Sequence, residues 1–391
     1  MYQYDDFDHQ FLKERVAHYR QQTERYLAGK LSEDEFLQLR LRNGLYIQRL
    51  APMLRVAIPY GTLSSTQLRA LANISVQYDR GYGHLSTRQN MQFNWPEIAD
   101  VPEILEDLAA VSMHAIQTSG SCIRNVTTDH FAGAAADETV DPRPYCELIR
   151  QWSTLHPEFE WLPRKFKIAV NGAAVDRAAI DVHDIGLRVY EDAQQRHVFD
   201  VIVGGGLGRT PVIGATIRTA LPAEHLLSYL QAILRVYNRY GRRDNKYKAR
   251  IKILVRALGA ATFAERVDAE WALILAETEP LPAQAITAMQ RFFAPPHLIA
   301  VDDHAAELAA QRLQDPAFSR WVERNVFPHR VAGYANVILS TKTTGVPPGD
   351  VSAEQMHAVA DWADRYGTGE IRFSHEQNFV LPHIRQADLL P

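Results

Sequence analysis

Cysteine is scarce in this 391-residue chain, with Cys122 and Cys146 its only two thiols. Two thiols cannot build a disulfide framework, nor an all-cysteine metal site. No apolar run approaches the length of a membrane span. The amino-terminal stretch MYQYDDFDHQ is acidic and lacks the basic and apolar regions of a signal peptide. The expected setting is cytoplasmic, with no membrane partner. Positive charge is not in excess either: 42 Lys and Arg face 46 Asp and Glu, a formal net charge of −4. That balance argues against a general nucleic-acid or membrane-surface binder. A His-x-x-x-His pair, a nucleophile elbow and a phosphate loop are also missing, and the 15 histidines are scattered. What is present is an ordinary globular composition, 46% apolar and 23% charged, with length for two or three domains.

The strongest pattern is an internal repeat. The stretch LSTRQNMQFNW, residues 85–95, reads as a two-faced strand. Arg88, Asn90, Gln92 and Asn94 share one side, and Met91, Phe93 and Trp95 the other. Nearly the same phrase, FSHEQNFVLP, recurs at 373–382 with Glu376 in the place of Arg88. The repeat runs without a gap from Pro59–Asn94 to Pro347–Pro382. In each copy a Pro/Gly turn leads to a helix begun at Ser64 or Ser352 as N-cap. Leu68, Leu71, Ala72 and Ser75 share one helical face, matched by Met356, Val359, Ala360 and Ala363. Each copy is thus a strand–helix–strand half-unit, and two such units pair into one pseudo-two-fold domain. The spacing is too large for a solenoid.

Between the copies the pattern changes. Strands are expected at 165–171, 187–190, 198–203 and 246–255, and helices near 143–154 and 222–240. The full partition is a helical arm (1–50), a first half-domain (51–115) and an inserted α+β domain (116–260). A helical connection (261–330) and a second half-domain (331–391) complete it.

Several of these segments carry cations. KYKARIK at 246–252, read as a strand, places Lys246, Lys248, Arg250 and Lys252 on one face. That face is either a solvated sheet surface or a seat for a polyanion. LPRKFKIAV at 162–170 likewise sets Lys165 and Lys167 opposite Phe166, Ile168 and Val170, with Arg164 preceding them. SGSCIRNVTTDH at 119–130 adds Arg124 and Asn125, while Cys122 fits a small buried hydrophobe better than a ligand. VIVGGGLGRTP at 201–211 is not a dinucleotide fingerprint, because Arg209 stands where the third glycine belongs. Gly204, Gly205 and Gly206 suit a tight turn or close backbone approach to a large flat ligand. Many cations without an acid–base pair suit a protein that holds a polyanionic cofactor and lets it supply the chemistry.

In order, MLRVAIPYG, LSTRQNMQF, CIRNV, LPRKFK, VGGGLGRTPVIG and NKYKARIKILV resemble the sirohaem-dependent nitrite/sulfite reductase family, in particular its sulfite reductase haemoprotein branch. The resemblance implies an α+β fold of duplicated ferredoxin-like half-domains around a pseudo-two-fold, with an inserted sirohaem-binding domain. It implies reduction of sulfite to sulfide, or nitrite to ammonia, with electrons from a flavoprotein or ferredoxin. Family positions binding the substrate anion map to Arg55, Arg124, Lys165 and Lys167. Those contacting sirohaem carboxylates map to Thr87, Arg88, Gln92, Arg164 and Arg250, with Arg124 and Lys167 shared. Asn125, Gly204, Gly205, Gly206 and Lys248 complete the expected cofactor set. The many carboxylates of sirohaem call for fixed cations, and guanidinium suits carboxylate geometry.

One expectation of the family is not met. Its 4Fe–4S cluster takes four cysteines placed after the second half-domain, and Cys122 and Cys146 do not match them. A truncated record or split gene is the favoured explanation, with a non-catalytic sirohaem- or anion-binding fragment as the alternative. A precorrin-modifying relative in cobalamin synthesis is disfavoured by Lys165 and Lys167 beside Arg124.

Overall fold

A computed structural model describes residues 1–299, 301 and 305–389. Residues 300 and 302–304, in the expected helical connection, and 390–391, in the second half-domain, lie outside the described residues.

The repeat folds as two copies of one plan. Helices Ser65–Tyr78 and Ala353–Tyr366 occupy equivalent positions, and each begins in a reciprocal capping box, Ser64 with Gln67 and Ser352 with Gln355. These boxes satisfy two otherwise orphaned N–H groups at each helix start. The two helices pack on one another, with Arg69 bonded to Asp361 and Asp364 across the join.

The sheets exchange strands. One runs Leu45–Ile47, Pro52–Val56, Met91–Phe93, Tyr82–Leu85 and then Asp350–Ser352 from the other copy. Its counterpart runs Val326–Pro328, Tyr334–Leu339, Phe379–Arg385, Glu370–Phe373 and then Thr62–Ser64. Asp350 pairs with His84, and Glu370 with Ser64, so each half completes the sheet of the other. The glycines shared by the copies sit at this crossing. Gly61 (φ +77°) would place a Cβ 2.6 Å from the Phe373 carbonyl, and Gly349 (φ +93°) one 2.8 Å from that of Leu85. No side chain fits there, and the left-handed φ disfavours one as well. Both halves share one core, in which Leu68, Leu71, Phe93, Met356 and Phe373 are fully buried. Each such side chain contributes about 1.5–3 kcal/mol by burial.

Four expectations need correction. LSTRQNMQFNW is not one strand. Strand Tyr82–Leu85 ends in a tight turn at Ser86–Asn90, where Ser86 N–H donates to Asn90 O (2.8 Å), and a new strand starts at Met91. Gln89 takes φ +56° there, and its amide exchanges hydrogen bonds with the Thr128 backbone, which holds the turn. KYKARIK is not a strand either: Asn245–Lys248 is a turn and Ile251–Leu258 a helix. Ile251, Leu254, Val255 and Leu258 also recur at helical spacing, and that period prevails because Ile251 and Val255 reach the inserted core. Strand Ala215–Pro222 precedes the Leu226–Tyr240 helix, so the helix expected from 222 begins later. The strand expected at 165–171 is regular only over Ile168–Asn171. The expected arm, for its part, reaches the core, since Tyr19 and Phe36 are fully buried and Leu45–Ile47 joins the first sheet.

The inserted domain is a mixed sheet ordered Ala215–Pro222, His197–Val203, Ile185–Glu191, Ile168–Asn171 and Thr127–Thr128. Its last two pairings are parallel, covered by helices Arg143–Ser153 and Leu226–Tyr240. No described helix is long and apolar enough to cross a membrane.

Candidate functional site

The first sheet and the inserted domain meet at a cluster of cations. Arg55 lies on strand Pro52–Val56 opposite Gln92, and its Nε and Nη2 donate to Gln92 Oε1 at 2.9 and 2.6 Å. Arg124, only 7% exposed, arrives from the inserted domain. The Nη1 atoms of Arg55 and Arg124 both donate to the Thr118 carbonyl, at 3.2 and 2.8 Å. Arg124 Nη2 also donates to the hydroxyl of Tyr46 (2.9 Å), whose ring lies beside Arg55. Two guanidiniums are thus fixed side by side by carbonyl, amide and phenol partners, without a carboxylate.

The hairpin turn delivers Arg88. Its Nη2 donates to the carbonyls of Asn125 and Ile168, and its Nη1 to His183 Nε2 at 2.6 Å. His183 can accept because its Nδ1 donates to Ala179 O (2.7 Å). Burial, followed by the charge of Arg88, pushes the imidazole well below its usual range, so it stays neutral. The Nε of Arg88 is buried and has no partner among the described residues.

Lys165 and Lys167 flank buried Phe166 at the entrance to strand Ile168–Asn171. The bonds Arg124 N–H to Phe166 O and Phe166 N–H to Cys122 O hold this segment extended, so the lysine alternation persists without a regular strand. Burial lowers Lys165 to about 8, helped by Arg124, Arg164 and Arg55. Burial lowers Lys167 to about 7, helped by Arg88 and Arg250 and opposed by Asp184. Arg55 and Arg88 are also pushed down, chiefly by burial.

Asp184, fully buried, is the carboxylate inside this cluster. It accepts from Arg250 Nε and Nη2 (2.9 and 2.7 Å) and from the Lys167 backbone N–H (2.9 Å). Arg164, Arg124 and Lys165 line an adjoining cleft of about 440 Å³. Seven cations, Arg55, Arg88, Arg124, Arg164, Lys165, Lys167 and Arg250, therefore act on one another around one buried carboxylate. Such a cluster suits a multiply charged anion, because an anion placed there would relieve the mutual repulsion.

Other expected site residues fall elsewhere or are already engaged. Lys248 is exposed in the Asn245–Lys248 turn, away from the face expected for it, and Thr87 is exposed at the hairpin tip. Asn125 Nδ2 lies 2.8 Å from Ile58 O and Asn90 Oδ1 and 3.0 Å from Arg88 O, so it fastens the hairpin to the inserted domain. A Cβ on Gly204 or Gly205 would meet Val255 or the Asp181 backbone, whereas one on Gly206 would meet the side chains of Arg250 and Lys252. Lys252 Nζ donates to Thr210 O (2.6 Å) and pins that glycine loop. Tyr46, His183 and Asp184 were not foreseen. Tyr46 lies in the expected arm, and no spacing marks His183 or Asp184 as neighbours of cations 17 to 95 residues away.

Fold and cations together define a class, a duplicated half-domain scaffold carrying a cation-lined insert. Comparison with known proteins gives the family. The model described as "Nitrite/Sulfite reductase ferredoxin-like half domain" matches residues 48–111 and 341–391, and "Nitrite and sulphite reductase 4Fe-4S domain" matches 119–275. The chain belongs to the nitrite/sulfite reductase family. It is 32% identical over 360 residues to a ferredoxin–nitrite reductase of Synechococcus elongatus, covering 88% of this chain and 62% of that protein. A sulfite reductase (ferredoxin) of Mycobacterium tuberculosis is 30% identical, covering 86% and 53% respectively. The structure of the M. tuberculosis NirA protein superposes with a TM-score of 0.74 at 26% identity, over 98% of this chain and 68% of that one. The chain thus spans roughly half to two thirds of the length of these relatives.

Proposed function

We propose that this chain holds sirohaem and a small oxyanion for a sirohaem-dependent reductase that converts nitrite to ammonia or sulfite to sulfide. The carrying observation is the convergence of seven cations on a region with one internal carboxylate. The donor set fits a polycarboxylate: Arg88 keeps a buried Nε without a partner among the described residues, and Gly206 lies against Arg250. Arg88, Arg164 and Arg250, with Gln92 as a neutral donor, would hold the carboxylates, and Arg55, Arg124, Lys165 and Lys167 the oxyanion. When bound, sirohaem would supply the redox-active iron, with the electrons coming from an external donor. Lys165 and Lys167, lowered to about 8 and about 7, can hold or release a proton at Nζ near neutral pH. The names of the relatives make a ferredoxin the preferred electron donor over a flavoprotein.

The described residues do not fit a 4Fe–4S cluster. Cys146 is fully buried, and Cys122 donates its thiol to Ser119 O. Burial pushes both thiols up, away from the thiolate a cluster requires. No group of three or more candidate metal ligands occurs among the described residues. This favours a second reading, in which the chain binds sirohaem and anion without turnover by itself.

Purification from cells supplied with sirohaem, followed by a visible spectrum, tests the first claim. A bound tetrapyrrole band is expected, lost when Arg88 and Arg250 are both changed to Met. A colourless wild-type protein under sirohaem-replete conditions refutes the proposal. Reduction of nitrite or sulfite by the coloured protein, given reduced ferredoxin, separates the reductase from the binding-only reading.

A further inference from the structure

The cleft beside the cation cluster carries a second group of charges at its outer end. Its lining sets five basic side chains, Arg42, Arg124, Arg164, Lys165 and Arg243, against one carboxylate, Glu160. The lining runs from Arg124, only 7% exposed, to Trp161, 52% exposed, so the cleft joins the buried cluster to the surface. A concave surface with one predominant sign of charge concentrates small ions of the other sign.

Three distant segments build the outer end. Arg42 closes helix Glu33–Arg42, Trp161 lies just ahead of Arg164 and Lys165, and Arg243 follows helix Leu226–Tyr240. Both guanidiniums touch the tryptophan. Arg42 lies over its ring at 5.8 Å, and Arg243 Nη1 donates to its carbonyl at 2.7 Å. Arg243 Nη2 donates to Asn238 Oδ1 (2.8 Å), so neutral oxygens fix this guanidinium and leave its charge uncompensated.

Arg42 is held differently. Its Nη2 donates to Glu160 Oε2 at 2.5 Å, and the two side chains are 38% and 19% exposed. Glu160 also meets the charge of Arg15, so the carboxylate is outnumbered here as well. A partly exposed ion pair contributes little net stability, so an arriving anion can take the place of Glu160 on Arg42.

We propose that this outer end is a second anion subsite. A small oxyanion bound for Arg124 and Lys165 first collects beside Trp161, between Arg42 and Arg243, with Glu160 as its built-in competitor. The subsite rests on the anion-holding reading above and extends it to the route by which the anion arrives. Selection there is by charge, because the tryptophan wall is open to solvent.

Trp161 makes the subsite readable. Quenching of tryptophan emission by iodide in the intact chain reports the anion concentration at the ring. Neutral acrylamide reports its bare accessibility, and Trp161→Phe assigns the signal. Iodide quenching of Trp161 is expected to fall at least about threefold in the Arg42→Met, Arg243→Met double variant and to rise about twofold in Glu160→Gln. Acrylamide quenching should stay the same in all three proteins, sulfate should compete with iodide, and added salt should narrow the differences. Equal iodide quenching in the three proteins, or no competition by sulfate, overturns the proposal. Loss of the tetrapyrrole band in the double variant also overturns it, because the outer end then holds a carboxylate of the cofactor. A wild-type chain that binds no sulfate by calorimetry refutes the anion-holding reading and this subsite together. Normal sulfate binding with a flat iodide response refutes the subsite alone.

Discussion

Anion affinity should fall steeply between pH 7 and pH 9, because the two lysines of the cation cluster lose their protons in that window. Burial and neighbouring cations hold Lys167 near 7 and Lys165 near 8. At pH 7 about half of Lys167 and about nine-tenths of Lys165 are charged, and at pH 9 about one-hundredth and one-tenth. If the anion needs both ammonium groups, the competent fraction falls roughly 500-fold, equivalent to about 3.7 kcal/mol. Sulfate is a suitable probe, since its charge does not change over this range. Titration calorimetry at pH 7, 8 and 9, in buffers of different ionisation heat, reads both the affinity and the protons taken up. Bound sulfate raises both lysine pKa values, so binding takes up protons above pH 7. Stability without the anion runs the opposite way. An unfolded lysine, near 10.4, binds its proton more tightly than either folded one, so unfolding takes up protons and stability rises with pH from about 7 to 10.4. A sulfate affinity that changes less than about threefold refutes the lysine assignment. An unaltered profile in the Lys165→Met, Lys167→Met double variant refutes it as well.

Two further outcomes test the scaffold. Asp184→Asn removes the negative charge among Arg88, Lys167 and Arg250 and turns an amide N–H₂ toward one of three donors. It should destabilise the chain by about 3 kcal/mol, with sulfate restoring part of the loss, and a change under about 1 kcal/mol in urea denaturation refutes that role. Gly61→Ala should lower the denaturation midpoint more than Gly29→Ala. Both glycines have φ of +70° or more, but only at Gly61 does the new Cβ meet a carbonyl, 2.6 Å away, so equal effects would show that the strand crossing tolerates it.

The sequence by itself determined the duplicated scaffold. Residues spaced for a buried helix face, Leu68 and Leu71 in one copy and Met356 and Val359 in the other, recur with Ser N-caps and paired glycines. Those signals are local, so they can be read without knowing what they touch. The cations were visible as types, and Arg55, Arg88, Arg124, Lys165, Lys167 and Arg250 do converge.

Only the tertiary structure decided how they converge. The supposed strand of Arg88 is a turn because the Gln89 amide bonds to Thr128 of another domain. Arg250 reaches the cluster from the start of a helix, held by Asp184, not from a cationic strand face. The second copy of the hairpin also sits among different partners. In the second half Ile338 faces Val380 where Arg55 faces Gln92 in the first, and Lys342 binds the backbone of the second hairpin turn. Register, strand exchange and partners brought from far along the chain are properties of the whole fold, because each depends on where a distant backbone comes to rest.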